Sequence, residues 1–142
     1  LINGQEQCAG SSYRAGEVRY EGHMFSADIL GAYGMQGSLT RIFKTMEDRV
    51  LLTDIYRLEA NPESVAERFV SYEKPKLEEG RILWKDLALY YPAEMLKVEI
   101  GKETYENNFM GIFTVYLIDL KVVTPRQNMK IELEFVTEPD NT

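Results

Sequence analysis

Histidine and cysteine are almost missing from this chain: His23 and Cys8 stand alone among 142 residues. A single histidine excludes every metal site built from several imidazoles and leaves His23 as the sole imidazole for acid–base work. A single cysteine excludes an internal disulfide and a cysteine-cluster metal site, a usage that fits a reducing compartment. Positive charge is also short, with 16 Lys and Arg against 23 Asp and Glu and a net charge of −7. Nucleic-acid binding is driven by Lys and Arg neutralising phosphates, so this balance speaks against it, and equally against docking on an anionic membrane. No apolar run reaches the roughly 18 residues that a spanning helix needs. Leu1–Cys8 lacks the basic stretch and apolar core of a signal peptide. Neither a Gly-x-Ser-x-Gly elbow nor a Gly-rich loop followed by Lys-Ser or Lys-Thr is present.

What is there suffices for one core. The composition is 44% hydrophobic and 11% aromatic, which is globular, and the length is near the common size of one domain. Residues 1–15 are small and polar, with Gly4, Gly10, Ser11 and Ser12, and read as a flexible arm. Residues 16–142 read as a single β-rich domain. Val18 and Tyr20 alternate with charges, Glu21-Gly22 turns, and His23–Leu30 returns, which is a hairpin pattern. Gly31, Gly34 and Gly37 punctuate a loop before a strand over Ser38–Lys44.

One helix is expected, over Met46–Leu58. Thr45 can cap it, Glu47 and Asp48 sit near its start, Arg57 near its end, and Leu51, Ile55 and Leu58 share a face at i, i+4, i+7. Ser64–Tyr72 fits helix or strand. From Arg81 the pattern is β: Arg81–Tyr90, then Leu96–Ile100, then the long run Phe109–Val122, and finally Met129–Val136. In that last strand Met129, Ile131, Leu133 and Phe135 alternate with Lys130, Glu132 and Glu134, giving one dry and one wet face. We expect it to pair with Phe109–Val122 through a turn at Thr124–Asn128. The fold class is therefore mainly β: an antiparallel sandwich or barrel-like sheet with one flanking α-helix.

Phe109–Val122 is apolar on both faces, Phe113, Val115 and Leu117 against Ile112, Tyr116 and Ile118. A sheet apolar on both faces must be covered on both, and in a small domain the second cover is another sheet layer or another subunit. Phe109, Ile112, Phe113, Tyr116 and Ile118 are accordingly subunit-interface candidates. No catalytic, cofactor or metal residues emerge. Glu47-Asp48 and Glu78-Glu79 are adjacent acids of the kind that usually stay solvated, and the Gly31, Gly34, Gly37 spacing precedes a strand where a dinucleotide fingerprint needs a helix. Trp84, Tyr90 and Tyr91 fit packing better than base stacking in so acidic a chain.

The order of elements resembles the major tail tube proteins of contractile-tailed phages and phage-like particles. The residues that carry this are Gly16-Glu17-Val18-Arg19-Tyr20-Glu21-Gly22-His23-Met24, the strand opening Gly37-Ser38-Leu39-Thr40, the helix expected at Met46–Leu58, Arg81-Ile82-Leu83-Trp84-Lys85-Asp86-Leu87, and the strands Leu96–Ile100 and Phe109–Leu120. The Gly31–Gly37 loop is shorter than the family's, and Val122–Val136 adds a strand. The resemblance implies a structural virion protein and no enzyme. It implies homo-oligomeric hexameric rings stacked into a hollow, DNA-conducting tail tube assembled in the bacterial host cytoplasm, with sheath and baseplate proteins as further partners and no cofactors. On that reading DNA passes an acidic lumen without specific binding, Tyr33 and Met35 in the loop join the interface candidates, and Lys130, Glu132 and Glu134 are the lumen-facing candidates. Three other readings stay open: another tail or neck protein on the same fold, to which the two departures point; a monomeric β-barrel carrier of a small molecule or lipid, which needs a cavity of roughly 300–1,000 Å³; and an enzyme pairing an acid with His23.

Overall fold

The computed structural model describes residues 1–137, and the end of the expected 16–142 domain lies outside the described residues. Among the described residues the elements are β1 (Gly16–Glu21), β2 (Met24–Asp28), a 3-10 turn (Leu30–Tyr33), β3 (Gly37–Thr45), β4 (Arg49–Leu58), β5 (Ala66–Ser71), β6 (Lys76–Glu78), β7 (Arg81–Leu83), β8 (Leu87–Tyr90), β9 (Leu96–Asn107), β10 (Gly111–Val122) and β11 (Asn128–Thr137). They form two antiparallel sheets. The large one has strand order β1-β2-β3-β4-β11-β8-β7-β6, and the small one β5-β10-β9. The sheets enclose one core, with Leu39, Leu52, Leu89 and Ile131 from the large sheet and Leu96, Ile118 and Leu120 from the small one. The mainly β, antiparallel class is as expected.

The expected flanking helix is not formed, and no closed barrel is present among the described residues. Met46–Leu58 is instead the β3–β4 turn followed by β4, paired along its length with β3 and β11. Thr45 caps no helix; its hydroxyl donates to the His23 carbonyl. The physical reason is that β4 buries Leu52, Asp54, Tyr56 and Leu58 on one face. The period is 2, and the acid in that row disguises it.

Other boundaries shift for similarly local reasons. Arg81–Tyr90 is two strands, because Trp84 to Leu87 closes a turn with the Trp84 N–H donating to the Leu87 carbonyl. The ambiguous Ser64–Tyr72 contains β5. The expected pairing of the last strand with Phe109–Val122 does not occur. Both sides of β10 are taken by β5 and β9, while β11 pairs with β4 and β8 in the opposite sheet. Its dry face meets β10 across the core, a better burial than lying beside it.

Residues 1–15, expected to be a flexible arm, are tied down at their start. Ile2 is buried in the core and bridges to Val65, and Leu1 and Ala66 exchange backbone hydrogen bonds. Two glycines are required by geometry. Gly22 sits at φ +58 in the β1–β2 turn, and Gly37 sits at φ +110 where a Cβ would lie 2.3 Å from the Arg57 carbonyl oxygen.

Candidate functional site

The small sheet has one covered and one uncovered face. On β10, Ile118, Leu120 and Val122 point into the core and are buried, while Phe113, Leu117 and Asp119 point away. Register places Val70 and Gly101 beside Leu117, and Tyr105 beside Phe113. Tyr105 stacks on Phe113 with ring centroids 5.6 Å apart, and Tyr72 leans on the same ring at 6.5 Å. Val70 and Tyr72 are 62% and 70% exposed. Val115, between Phe113 and Leu117 on the same face, is buried, while the residues around it stay wholly or partly exposed and no third sheet packs on them among the described residues.

Beyond the sandwich the β9–β10 hairpin runs on alone. β5 pairs only with Tyr116–Lys121, so Gly111–Val115 has β9 as its one neighbour. The tip is apolar: Phe109 is 96% and Ile112 75% exposed, and Met110 is exposed too. Its turn is held by the Asn107 side chain and carbonyl, which accept from the Phe109 and Met110 N–H groups at 2.9 and 3.2 Å. The hairpin's apolar residues therefore stand on an ordered support, while water surrounds them. The β1–β2 hairpin repeats this at another edge, with Val18, Tyr20, Met24 and Phe25 exposed. The outer edges of β1 and β9 carry no further strand among the described residues, and open edges of this kind accept a strand from another chain.

A different chemistry lies between the sheets. Arg41 on β3 and Asp54 on β4 are direct cross-strand partners. Arg41 donates Nε–H to Asp54 Oδ1 at 2.9 Å and Nη2–H to Asp54 Oδ2 at 2.6 Å. The same Nη2 donates to Glu67 Oε2 on β5 at 2.9 Å, and the Tyr56 hydroxyl donates to Glu67 Oε1 at 2.7 Å. The cluster thus ties the two sheets together. Asp54 is 1% and Glu67 3% exposed. Burial, then the neighbouring charge of Asp54, pushes the Glu67 carboxyl up to about 8. Burial opposes the Arg41 charge, and the Asp54 hydrogen bond and the two carboxylates more than offset it. A groove of about 350 Å³, lined by Tyr33, Arg41, Tyr56, Glu67 and Arg68 among others, brings solvent to the cluster's edge. A second arginine repeats the motif on the outer face. Arg68 holds Asp119 through Nε and Nη2 at 2.7 and 2.8 Å and Glu6 through Nη1 at 2.9 Å. These contacts hold the Asp119 carboxyl below its ordinary range.

The interface candidates read from the sequence divide. Phe109, Ile112 and Phe113 belong to the hairpin and its uncovered face. Tyr116 is half-buried on the core side, and Ile118 is fully buried in the chain's own core, so Ile118 is corrected from interface to core. Tyr33 and Met35 are half-buried against the same core, placing them apart from the hairpin. Lys130, Glu132 and Glu134 do share the outward face of β11. Lys130 pairs with Glu132 at 3.0 Å, and Glu134 accepts from Arg49. His23 and Cys8 are exposed and lie in separate places, and Glu78 is committed to Arg81. Arg41, Asp54, Tyr56 and Glu67 were not singled out from the sequence. The available signal was an arginine between Leu39 and Phe43 and an acid between Leu52 and Tyr56, each interrupting an otherwise alternating strand.

No protein-family model matches the chain, and no curated protein matches it significantly. The class defined by the geometry is a two-sheet antiparallel β protein with an uncovered apolar sheet face.

Proposed function

We propose that this chain is a structural subunit whose function is to assemble with copies of itself, and that the assembly is a hollow tube of stacked hexameric rings, of the phage tail-tube kind. One observation carries the reading: the β9–β10 hairpin and the outer face of its sheet leave Val70, Tyr72, Tyr105, Phe109 and Ile112 exposed to water. Exposed apolar surface on this scale, next to a free strand edge, is what a partner normally covers. A second copy fits because the β1–β2 hairpin offers an exposed apolar ribbon of its own with a matching free edge. Contact between two different edges is heterologous, and such contacts repeat into rings when the rotation closes.

The tube-specific part has its own support. The outward face of β11 presents Lys130, Glu132 and Glu134, and the chain as a whole carries −7, so a lumen lined by such faces lets DNA pass without adhering. In that role the protein belongs to a virion, is assembled in the host cytoplasm, and meets sheath and baseplate proteins at other surfaces. The carrier alternative needs an apolar cavity, whereas a groove of about 490 Å³, in the right range of size, has Glu63, Arg68, Asp119 and Lys121 in its lining. Light scattering and negative-stain microscopy on one sample test the proposal. Rings or tubes with a central hole are expected; closed dimers without a channel would end the tube reading and keep self-assembly, and a monomer of 16.4 kDa at every concentration would end both.

A further inference from the structure

The cluster between the sheets has an imbalance of charge. Asp54 and Glu67, both almost fully buried, share a single guanidinium, and their oxygens Oδ2 and Oε2 sit on the same Arg41 nitrogen. Two carboxylates packed this closely do not both ionise when one cation serves them. Asp54 holds the guanidinium through two nitrogens, the geometry of an ionised carboxylate, whereas Glu67 takes only one Arg41 contact and the Tyr56 hydroxyl. Every side-chain N and O atom that is buried among the described residues has a partner, so the cluster is complete with one added proton and needs no further group.

We propose that the folded chain carries a proton on Glu67, directed from Oε2 toward Asp54 Oδ2, and that this proton fastens the three-stranded sheet to the eight-stranded one. The link is a cross-sheet latch: β5 contributes Glu67, and β3 and β4 contribute Arg41, Asp54 and Tyr56. The other charged or titratable groups near Glu67 are the Leu1 amino group and Glu6 from the N-terminal segment, Tyr33 from the 3-10 turn, Arg68 on β5 itself, and Asp119 on β10 behind it. Of the cations among them, Arg68 lines the same groove but is taken up by Asp119 and Glu6, and the Leu1 amino group is itself driven toward its neutral form, by burial above all. None supplies the second positive charge.

The latch has a direction with pH. In the unfolded chain Glu67 loses its proton near the ordinary value of 4.5, whereas in the folded chain it keeps the proton to about 8. Between those values the folded state binds one proton more than the unfolded state, so stability falls as pH rises through the window and levels off above it. This is opposite to the behaviour of a carboxylate held by a salt bridge.

Thermal unfolding of the wild-type chain and of Glu67→Gln, each measured from pH 5 to pH 9, tests this. Gln keeps the neutral, hydrogen-bond-donating shape and has no proton to lose. The wild type is expected to lose Tm relative to the variant as pH rises, with the two profiles converging or crossing toward pH 9. A Tm difference constant across the range would overturn the latch. Should Glu67→Gln fail to fold, carboxyl-carbon NMR of the wild type decides. A Glu67 signal titrating above pH 6 supports the proposal, and one titrating in the ordinary carboxylate range refutes it.

Discussion

The two faces of the small sheet carry the same kinds of residue and meet different fates. Each has a run of apolar side chains from β10 and an arginine-centred cluster: on the inner face Glu67 meets the large sheet's Arg41–Asp54 pair, and on the outer face Arg68 grips Asp119 and Glu6. On the inner face Ile118 and Leu120 are sealed by the large sheet, and both carboxyls of the Arg41 cluster, Asp54 and Glu67, are buried. On the outer face Leu117 and Phe113 stay half-exposed, and the Arg68 cluster reaches water through Glu6, whose side chain is 71% exposed. Residue type does not decide which face is core. The decision comes from which face the other sheet reaches, and the hairpin extends the uncovered face past the end of the fold. The inner face accounts for the stability of one chain; the outer face is the surface we propose for its association with others.

Substitutions at matched positions break or sharpen this comparison. The largest effect is expected at the two arginines. Arg41→Ala strands two buried carboxyls and should cost about 3–5 kcal/mol, while Arg68→Ala, at a partly solvated cluster, should cost about 1 kcal/mol or less. Urea denaturation of both variants at pH 7 measures the gap, and equal costs would erase the distinction between the faces. Next come the apolar positions. Ile118→Ala removes a fully buried side chain and should cost about 2–5 kcal/mol. Val70→Ser on the outer face should change monomer stability by no more than about 0.5 kcal/mol and weaken association, read by denaturation and by sedimentation of the same samples. The smallest effect is electrostatic. The hydrogen bonds from Arg68 lower the folded pKa of Asp119 below 3.8, so it contributes stability that is present above that value and lost as pH falls through the lower folded one. Asp119→Asn should flatten a small acid-side loss of Tm, the reverse of the Glu67 profile.

Much of this was legible in the chain. The alternation over Met129–Phe135 gives the two faces of β11, Glu21-Gly22 marks the β1–β2 turn, and the apolar run at Phe109–Val122 marks β10, the central strand of the small sheet. β4 was not legible, and the cause is one residue. Asp54 stands in the buried row of Leu52, Tyr56 and Leu58, and a buried acid is conceivable only once its partner is known to lie across from it. Arg41, thirteen positions earlier, is that partner, but nothing local announces the pairing. With Asp54 taken as solvent-facing, the remaining apolar spacing fits a helix. The partner of β11 was misassigned for a related reason. Adjacency in sequence favours β10, whereas β10 already has a neighbour on each side and its apolar face is worth more opposite β11 than beside it. Ile118 was similarly grouped with Phe113 because a strand apolar on both faces does not say which face its own fold covers.

The central claim is that the outer face and hairpin tip bind a second copy of this chain. Sedimentation velocity of the wild type beside Phe109→Ser and Tyr72→Lys tests it most directly. These side chains lie outside the core, so the variants should fold with unchanged circular dichroism. The account predicts wild-type species well above 16.4 kDa that both substitutions reduce to monomer. A wild type that stays monomeric throughout, or assemblies that both variants leave intact, would contradict it.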